Sequence, residues 1–337
     1  MEYPSLEFFR QVIHPEISRY SLRTIKTSAP PVKVEEVSLY SDSTHDVKFR
    51  LIVKIVSPGW PDDPRGQDRE RIFYQRVFPR LGFEHPRVYY AGLNPGTRHR
   101  LIVMEDVSGR YRFPSPSYRW NLEEVFCFLR TYARLHGRGQ EILPAIEDRA
   151  WLLTYHRQPP DCEQIEESTR YLVSQGIWDP LPNLERLIQQ TQEQLSVFSG
   201  HSVTLIHNDL YPPNIGLPQN LTDLAVLIDW DMAAWGLAEI DLAYLFMQPF
   251  RSASQIDRQE ALDYYWGQRL ALEGRIPPHD ERQSLQNLAD SLFALAEVLV
   301  AEKVARRPYP PGSAPRAYWD AMYGVLYQRL MELCERV

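Results

Sequence analysis

The sequence predicts an α+β fold in two parts, a small N-terminal lobe built on an antiparallel sheet over residues 1–105 and a larger, mainly helical lobe over 106–337. Three observations lead there. Apolar runs at strand period occupy Val32–Val56 and Arg100–Met104, and apolar residues at helical period recur from Leu122 to the C-terminus. The helical part is interrupted at 205–229 by a proline-broken loop between short apolar segments. A length of 337 residues suits about two domains.

Composition excludes several classes of function. With 44% apolar and 24% charged residues, the chain can bury a sizeable core and is not a disordered tail. No apolar run approaches the roughly 20 residues that span a bilayer, and the N-terminal MEYPSLEFFRQ lacks the basic and apolar pattern of a signal sequence. A cytoplasmic protein with no membrane partner is the expectation. A net charge of -7 argues against nucleic acid, which needs a basic face. Cys127, Cys162 and Cys334 lie far apart without a C-x-x-C pair, so neither a disulfide framework nor a zinc site is expected.

Taken in order, Leu6–Ile13 predicts a short helix with Phe9, Val12 and Ile13 on one face. Val32–Tyr40 and Val47–Val56 predict two strands joined by a turn over Ser41–Asp46. Alternation in the second strand puts Ile52, Lys54 and Val56 on one face. There Lys54 is either a surface lysine leaning off an edge strand or a buried cation that needs an anion. The next segment can supply one. Asp62-Asp63-Pro64 signals a helix start, and Glu70, Phe73, Tyr74 and Val77 share a helical face, which points Glu70 inward toward a partner such as Lys54.

Arg100–Met104 predicts another strand, followed by the linker Glu105–Gly109, and Tyr111–Tyr118 reads as a loop. Asn121 with Glu124 forms a capping-box pattern that opens a helix running through His136, with Gly137 placed to end it. His136 on that apolar face reads as a hydrogen-bonded core histidine. Leu143–Phe198 predicts helices of its own. Its acidic cluster from Asp161 to Glu167 is a solvated helix face in one reading and an attractor of cationic molecules in the other. Trp230, Trp235, Tyr264, Tyr265 and Trp266 read mostly as core aromatics, with cation-π contacts as the alternative. Helices follow over Arg258–Leu272, closed by Gly274, over Glu281–Val304 and over Arg316–Cys334, with a rigid Pro308–Pro315 connector.

The stretch from Leu205 to Asp241 carries the chemistry. Tyr211-Pro212-Pro213 forbids a helix after His207-Asn208-Asp209, because proline lacks an amide hydrogen and restricts the residue before it. Asn214 then precedes the strand Ile215–Leu217, and a turn at Pro218-Gln219-Asn220 leads to a second strand, Leu224–Ile228, that ends on Asp229. A hairpin of this kind pinches Asn214 and Asp229 together. An amide oxygen beside a carboxylate suits magnesium better than zinc, because magnesium is hard and takes one or two protein oxygens plus phosphate.

At His207-Asn208-Asp209 with Asn214, at Ile228-Asp229-Trp230-Asp231, and at Gly236 with Asp241-Leu242-Ala243, the sequence resembles the aminoglycoside phosphotransferase and choline kinase-like family of small-molecule kinases. That resemblance implies a bilobal protein-kinase-like fold, with ATP or GTP as phosphoryl donor and Mg2+ as cofactor. It implies Asp209 as catalytic base, Asn214 and Asp229 as magnesium ligands, and Asp241 as a brace for the loop backbone. Lys54 would grip the nucleotide phosphates and be held by Glu70. Met104 would line the back of the adenine pocket, with the Glu105 carbonyl and Val107 amide reading the base. The chain departs from the family in the Ser41–Asp46 turn, which has no glycine and two aspartates. Ser43, with Ser41, Thr44 and His45, is left to contact phosphate there. The acceptor implied is a small-molecule hydroxyl, cationic in the case of an aminoglycoside. Choline, ethanolamine or sugar kinases and a catalytically degenerate nucleotide-binding protein are the alternatives.

Overall fold

The computed structural model describes residues 3–27, 32–41, 47–58, 68–82, 85–94, 97–115, 118–142, 144, 146, 153–154, 161–198, 203–247, 257–306 and 314–337. Ser43 and the rest of the turn at 42–46, the Asp62-Asp63-Pro64 signal and residues 307–313 of the proline-rich connector lie outside them. The chain divides into two compact units. One takes in Met1–Arg112 and Val226–Asp231, and the other Phe113–Glu147, Leu152–Ala225 and Met232–Val337.

The first unit opens with helix α1 (Leu6–Val12), capped by the Ser5 hydroxyl accepting from the Phe8 amide at 3.1 Å. Five strands follow: β1 (Ile17–Thr27), β2 (Val32–Ser41), β3 (Val47–Val56), β4 (Val88–Leu93) and β5 (Arg100–Glu105). They form one antiparallel sheet in the order β1-β2-β3-β5-β4. Period-2 alternation decides its buried face. Val37 and Leu39 of β2, Leu51, Val53 and Ile55 of β3, and Leu101 and Val103 of β5 pack with Phe9 and Ile17 into one core. Lys54 therefore points to the opposite face of the sheet. The two strands with no counterpart in the sequence reading, β1 and β4, are the two edges. Most of β1 is solvated, with Ile25 52% exposed, so no buried face imposes a period on its residues.

Between β3 and β4 the expected helix is short and irregular. One α-turn, α2 (Arg69–Ile72), passes into a π-helical turn over Phe73–Val77 and then a 3₁₀ turn at Phe78–Arg80. The Phe78 amide bonds to the Phe73 carbonyl five residues back, and Pro79 has no amide to continue the ladder. The wider turn sets Phe78 against Phe73, with ring centroids 6.0 Å apart, so that Glu70, Phe73, Tyr74, Val77 and Phe78 are all buried.

A two-residue strand, β6 (Tyr111–Arg112), replaces the start of the expected loop. In the second unit, α3 (Leu122–Ile142) begins with the anticipated capping box: Asn121 Oδ1 accepts from the Glu124 amide at 2.9 Å, and Glu124 Oε2 accepts from the Asn121 amide at 3.0 Å. The helix does not stop at Gly137 as expected but runs through it to Ile142. The glycines serve packing. At Gly139 a Cβ would sit 2.7 Å from the Leu205 amide nitrogen, so this glycine lets α3 approach the strand that leads into the loop. Gly139→Ala is expected to cost about 1–3 kcal/mol through overpacking, measured by urea unfolding. No change in the urea midpoint would show that the two elements can part without loss.

The rest of the chain adds β7 (Leu153–Thr154), α4 (Cys162–Ser174), α5 (Leu184–Phe198), β8 (Thr204–Ile206), β9 (Ile215–Pro218), β10 (Val226–Leu227), β11 (Ala234–Gly236), α6 (Glu239–Phe246), α7 (Arg258–Glu273), α8 (His279–Ala305) and α9 (Ala314–Glu335). Strand β11 pairs antiparallel with β8 and parallel with β7. Gly274 ends α7 at φ 71, its amide bonding the Leu270 carbonyl at 2.9 Å, as the sequence predicts. Helix α8 is the spine of this unit, and α4, α5, α6 and α9 all pack on it. Buried Asp290 on α8 accepts from Arg258 of α7 and Arg329 of α9, and from Gln286 at 2.9 Å. The acidic cluster begins as the cap of α4, with Asp161 Oδ1 3.1 Å from the Gln164 amide, and most of its other members are solvated. Trp230 and Tyr265 are fully buried. Among the described residues no helix is long and apolar enough to cross a membrane.

Candidate active site

The loop after β8 is held from behind by one buried carboxylate. Asp241, in the first turns of α6, is fully buried, and its Oδ2 and Oδ1 accept from the backbone amides of His207 and Asn208, each at 2.9 Å. Asn208 adopts φ 63, a left-handed conformation that asparagine tolerates better than most side chains. It turns the chain so that Asp209 projects forward. His136 Nε2 lies 3.1 Å from Asp241 Oδ2, and Nδ1 lies 2.8 Å from the Tyr265 hydroxyl. Burial lowers the His136 pKa, against the pull of Asp241, and favours the neutral ring. A neutral imidazole donates at one nitrogen and accepts at the other, which fits Nε2–H toward Asp241 and the Tyr265 O–H toward Nδ1. Arg269 Nη1 in turn donates to Tyr265 at 2.8 Å. The brace is thus a chain of four side chains, and His136 has the structural role its apolar setting suggested.

Asp209 itself is gripped at both oxygens. Pro212–Asn214 forms a 3₁₀ turn that brings Asn214 back on Asp209, and Asn214 Nδ2 donates to Oδ2 at 2.9 Å and to the Asp209 carbonyl at 3.0 Å. The Tyr244 hydroxyl, on α6, donates to Oδ1 at 3.1 Å. Because a carboxylate only accepts, the Asn214 amide must present its nitrogen here, which directs Oδ1 away from Asp209. Burial, then the Asp209 charge, raises Tyr211 to about 12 and Tyr244 well above its ordinary value, so both phenols stay protonated. Glu297 on α8 is pushed up to about 8 by burial and then by Asp209.

A second group assembles in the first unit. Lys54 Nζ lies 2.8 Å from Glu70 Oε2 and also bonds Asp229 Oδ1. The inward lysine and glutamate inferred from periodicity therefore pair. Burial would lower the Lys54 pKa, but Asp229 and then Glu70 outweigh it and hold the ammonium charged. Burial pushes the Glu70 carboxyl up, and Lys54 opposes it. Asp229 sits at φ 66, next to Trp230, whose ring stacks on Phe73 at 4.2 Å. Arg69 Nη1 donates to the Asp231 carbonyl at 2.8 Å, closing the segment against α2. At the linker, the side chains of Met104 and Val107 are buried, and the Val107 carbonyl accepts from Arg110 at 2.9 Å and Tyr111 at 3.0 Å. The Glu105 carboxylate accepts from Arg110 Nη2 at 2.8 Å and the Arg87 amide at 3.2 Å.

Comparison with known proteins then bears on what these groups belong to. The profile of the Phosphotransferase enzyme family matches residues 36–279, a span that contains both groups. The chain belongs to that family. Among solved structures, this phosphotransferase is similar to a candidate aminoglycoside phosphotransferase from Ralstonia eutropha JMP134, at 14% identity over 98% of this chain and 97% of that one, with a TM-score of 0.63. It is similar also to an amicoumacin kinase in complex with AMP-PNP, Ca2+ and Ami (13% identity, 93% and 88% coverage, TM-score 0.60). Choline kinase from Streptococcus pneumoniae follows at 16% identity, 98% and 97% coverage and a TM-score of 0.51. At such identities the likeness is one of fold, the protein-kinase-like fold of small-molecule phosphotransferases. A comparison with curated proteins finds no match.

Each unit of this phosphotransferase offers one hard oxygen donor of interest. Asn214 offers an amide oxygen turned away from Asp209, and Asp229 a carboxylate that is 31% exposed beside Lys54. These are hard oxygen donors of the kind magnesium takes singly or in pairs while it keeps water and phosphate oxygens. Among the described residues no cluster of three or more His, Cys, Asp or Glu forms a cage. Sequence reasoning missed Tyr244 and Glu297. The signal for Tyr244 was present, since it lies three residues after Asp241 and so on the same helix face.

Proposed function

We propose that this chain is a kinase that moves the terminal phosphoryl group of ATP or GTP to a hydroxyl of a small molecule. Asp209 is the base that accepts the hydroxyl proton. Asn214 and Asp229 would hold Mg2+, which when bound neutralises charge developing on the phosphate oxygens. Lys54, kept charged and aimed by Glu70, takes the phosphates. Met104, Glu105 and Val107 would form the adenine wall. The observation that carries the reading is the Asp209 carboxylate, fixed at both oxygens on a loop whose backbone is pinned by Asp241. So costly an arrangement of buried polar groups, at the tip of the loop, suits a proton acceptor better than a turn residue.

The acceptor we favour is a hydroxylated cation such as an aminoglycoside or an amino alcohol. Support comes from the net charge of -7. A neutral sugar would draw nothing from that charge.

Thermal unfolding with ATP or GTP, each with and without Mg2+, tests donor and metal together. A ligand at 100 Kd adds about 2.7 kcal/mol of stability. The midpoint is expected to rise with nucleotide and Mg2+ together, and Asp229→Ala is expected to remove the magnesium-dependent part. A rise that Asp229→Ala leaves intact would take Asp229 out of the metal site, and no rise at millimolar nucleotide would sink the kinase reading. Turnover of a panel of aminoglycosides, amino alcohols and sugars then assigns the acceptor.

A further inference from the structure

The hydrogen bond from Tyr244 to Asp209 is not explained by packing. Helix α6 meets the loop at two points three residues apart, and residues at that spacing share a helix face. Asp241 takes the backbone amides of His207 and Asn208, and one turn later Tyr244 reaches the Asp209 side chain with its hydroxyl. The Tyr244 ring is seated on Phe293 of α8, with centroids 5.0 Å apart at an interplanar angle of 58°. Glu297 follows Phe293 by four residues, on the same face of α8, which closes the surroundings of the phenol from that side.

Resting on the phosphoryl-transfer reading, we propose that Tyr244 is a positioning residue for the reaction: its hydroxyl and the Asn214 amide, one on each oxygen, hold the Asp209 carboxylate in a single orientation. A carboxylate that receives one hydrogen bond can still rotate about its Cβ–Cγ bond, whereas two donors from different elements fix its plane. The acceptor hydroxyl then meets a carboxylate whose plane is preset and not a rotating group. The phenol is a donor here because burial keeps it protonated. Phenylalanine at this position would preserve the seat on Phe293 and remove the donor.

The test uses four full-length proteins: wild type, Tyr244→Phe, Asp209→Ala and the double variant. Release of ADP or GDP from the Mg2+ nucleotide, with water as the acceptor, is followed at steady state. Tyr244→Phe is expected to lower kcat about tenfold, the rate equivalent of one ordinary hydrogen bond, with the nucleotide KM unchanged. Urea unfolding of the same set reads the contact without turnover. The loss of stability from Tyr244→Phe is expected in the wild-type background and not in the Asp209→Ala background, because the two side chains are coupled.

An unchanged kcat in Tyr244→Phe would overturn the proposal, as would an equal stability loss in both backgrounds. So would a fall in kcat matched by the loss of nucleotide-binding sites, which marks a folding defect. Wild-type protein that releases no nucleoside diphosphate would overturn the phosphoryl-transfer reading, and this proposal with it, before any substitution is compared.

Discussion

Asp209→Ala is expected to lower turnover by about a thousandfold, within the range that a positioned general base contributes, while nucleotide affinity stays near that of the wild type. The split follows from where the carboxylate stands. Its two oxygens accept from Asn214 and Tyr244 of its own unit, whereas the ion pair that would take the phosphates, Lys54 with Glu70, is formed within the other unit and does not need Asp209 for its own bond. Steady-state kinetics beside equilibrium nucleotide titration checks this. Equal loss of turnover and affinity would mean that Asp209 holds the nucleotide and is not the base.

Asp241→Ala is expected to act on stability before it acts on rate. Asp241 is fully buried and meets three groups, the His207 and Asn208 amides and His136 Nε2. Removing it leaves those groups without their acceptor in a dry interior, at a cost of about 3–5 kcal/mol. For a fold worth about 5–15 kcal/mol that is a large fraction, so the urea midpoint should fall steeply and little folded protein should remain near its former melting temperature. Asp241→Asn, which keeps one acceptor oxygen, should fall in between. A drop below about 1 kcal/mol in Asp241→Ala would show that the loop backbone finds other partners.

The two predictions concern residues legible to different degrees in the chain. Asp209 and Asn214 stood out because a proline pair forbids regular structure just where oxygen-bearing side chains cluster, and Asp241 stood out by resemblance. The inward face of Glu70 followed from a helical period, whereas the strand period left Lys54 either a surface lysine or a buried cation, and the family resemblance favoured the second. Their pairing is what the cost of burying an isolated charge demands. Other features left no such trace. The edge strands β1 and β4 have little buried face to impose alternation on their residues. The change from α to π turn after Ile72 depends on how Phe73, Phe78 and Trp230 fill their space, which no local propensity encodes.

Gly137 shows the opposite failure. As a local signal it ends a helix, yet α3 runs on to Ile142, because the close approach of Leu205 to Gly139 and the Thr204 bond to the His136 carbonyl at 2.5 Å favour a continued helix. Tertiary contact overrode a weak local preference.

From the residues and their spacing came the class of fold, the loop with its carboxylate and amide, the inward face of Glu70 and the caps of α3 and α7. Each rests on short-range physics: a period, a missing amide hydrogen, a glycine at positive φ. Tertiary structure decided which side chains meet across long separations, Tyr244 with Asp209 and Lys54 with Asp229 among them. Those contacts depend on how helices and strands pack, and packing is set by the summed shapes of many side chains that no single stretch of sequence contains.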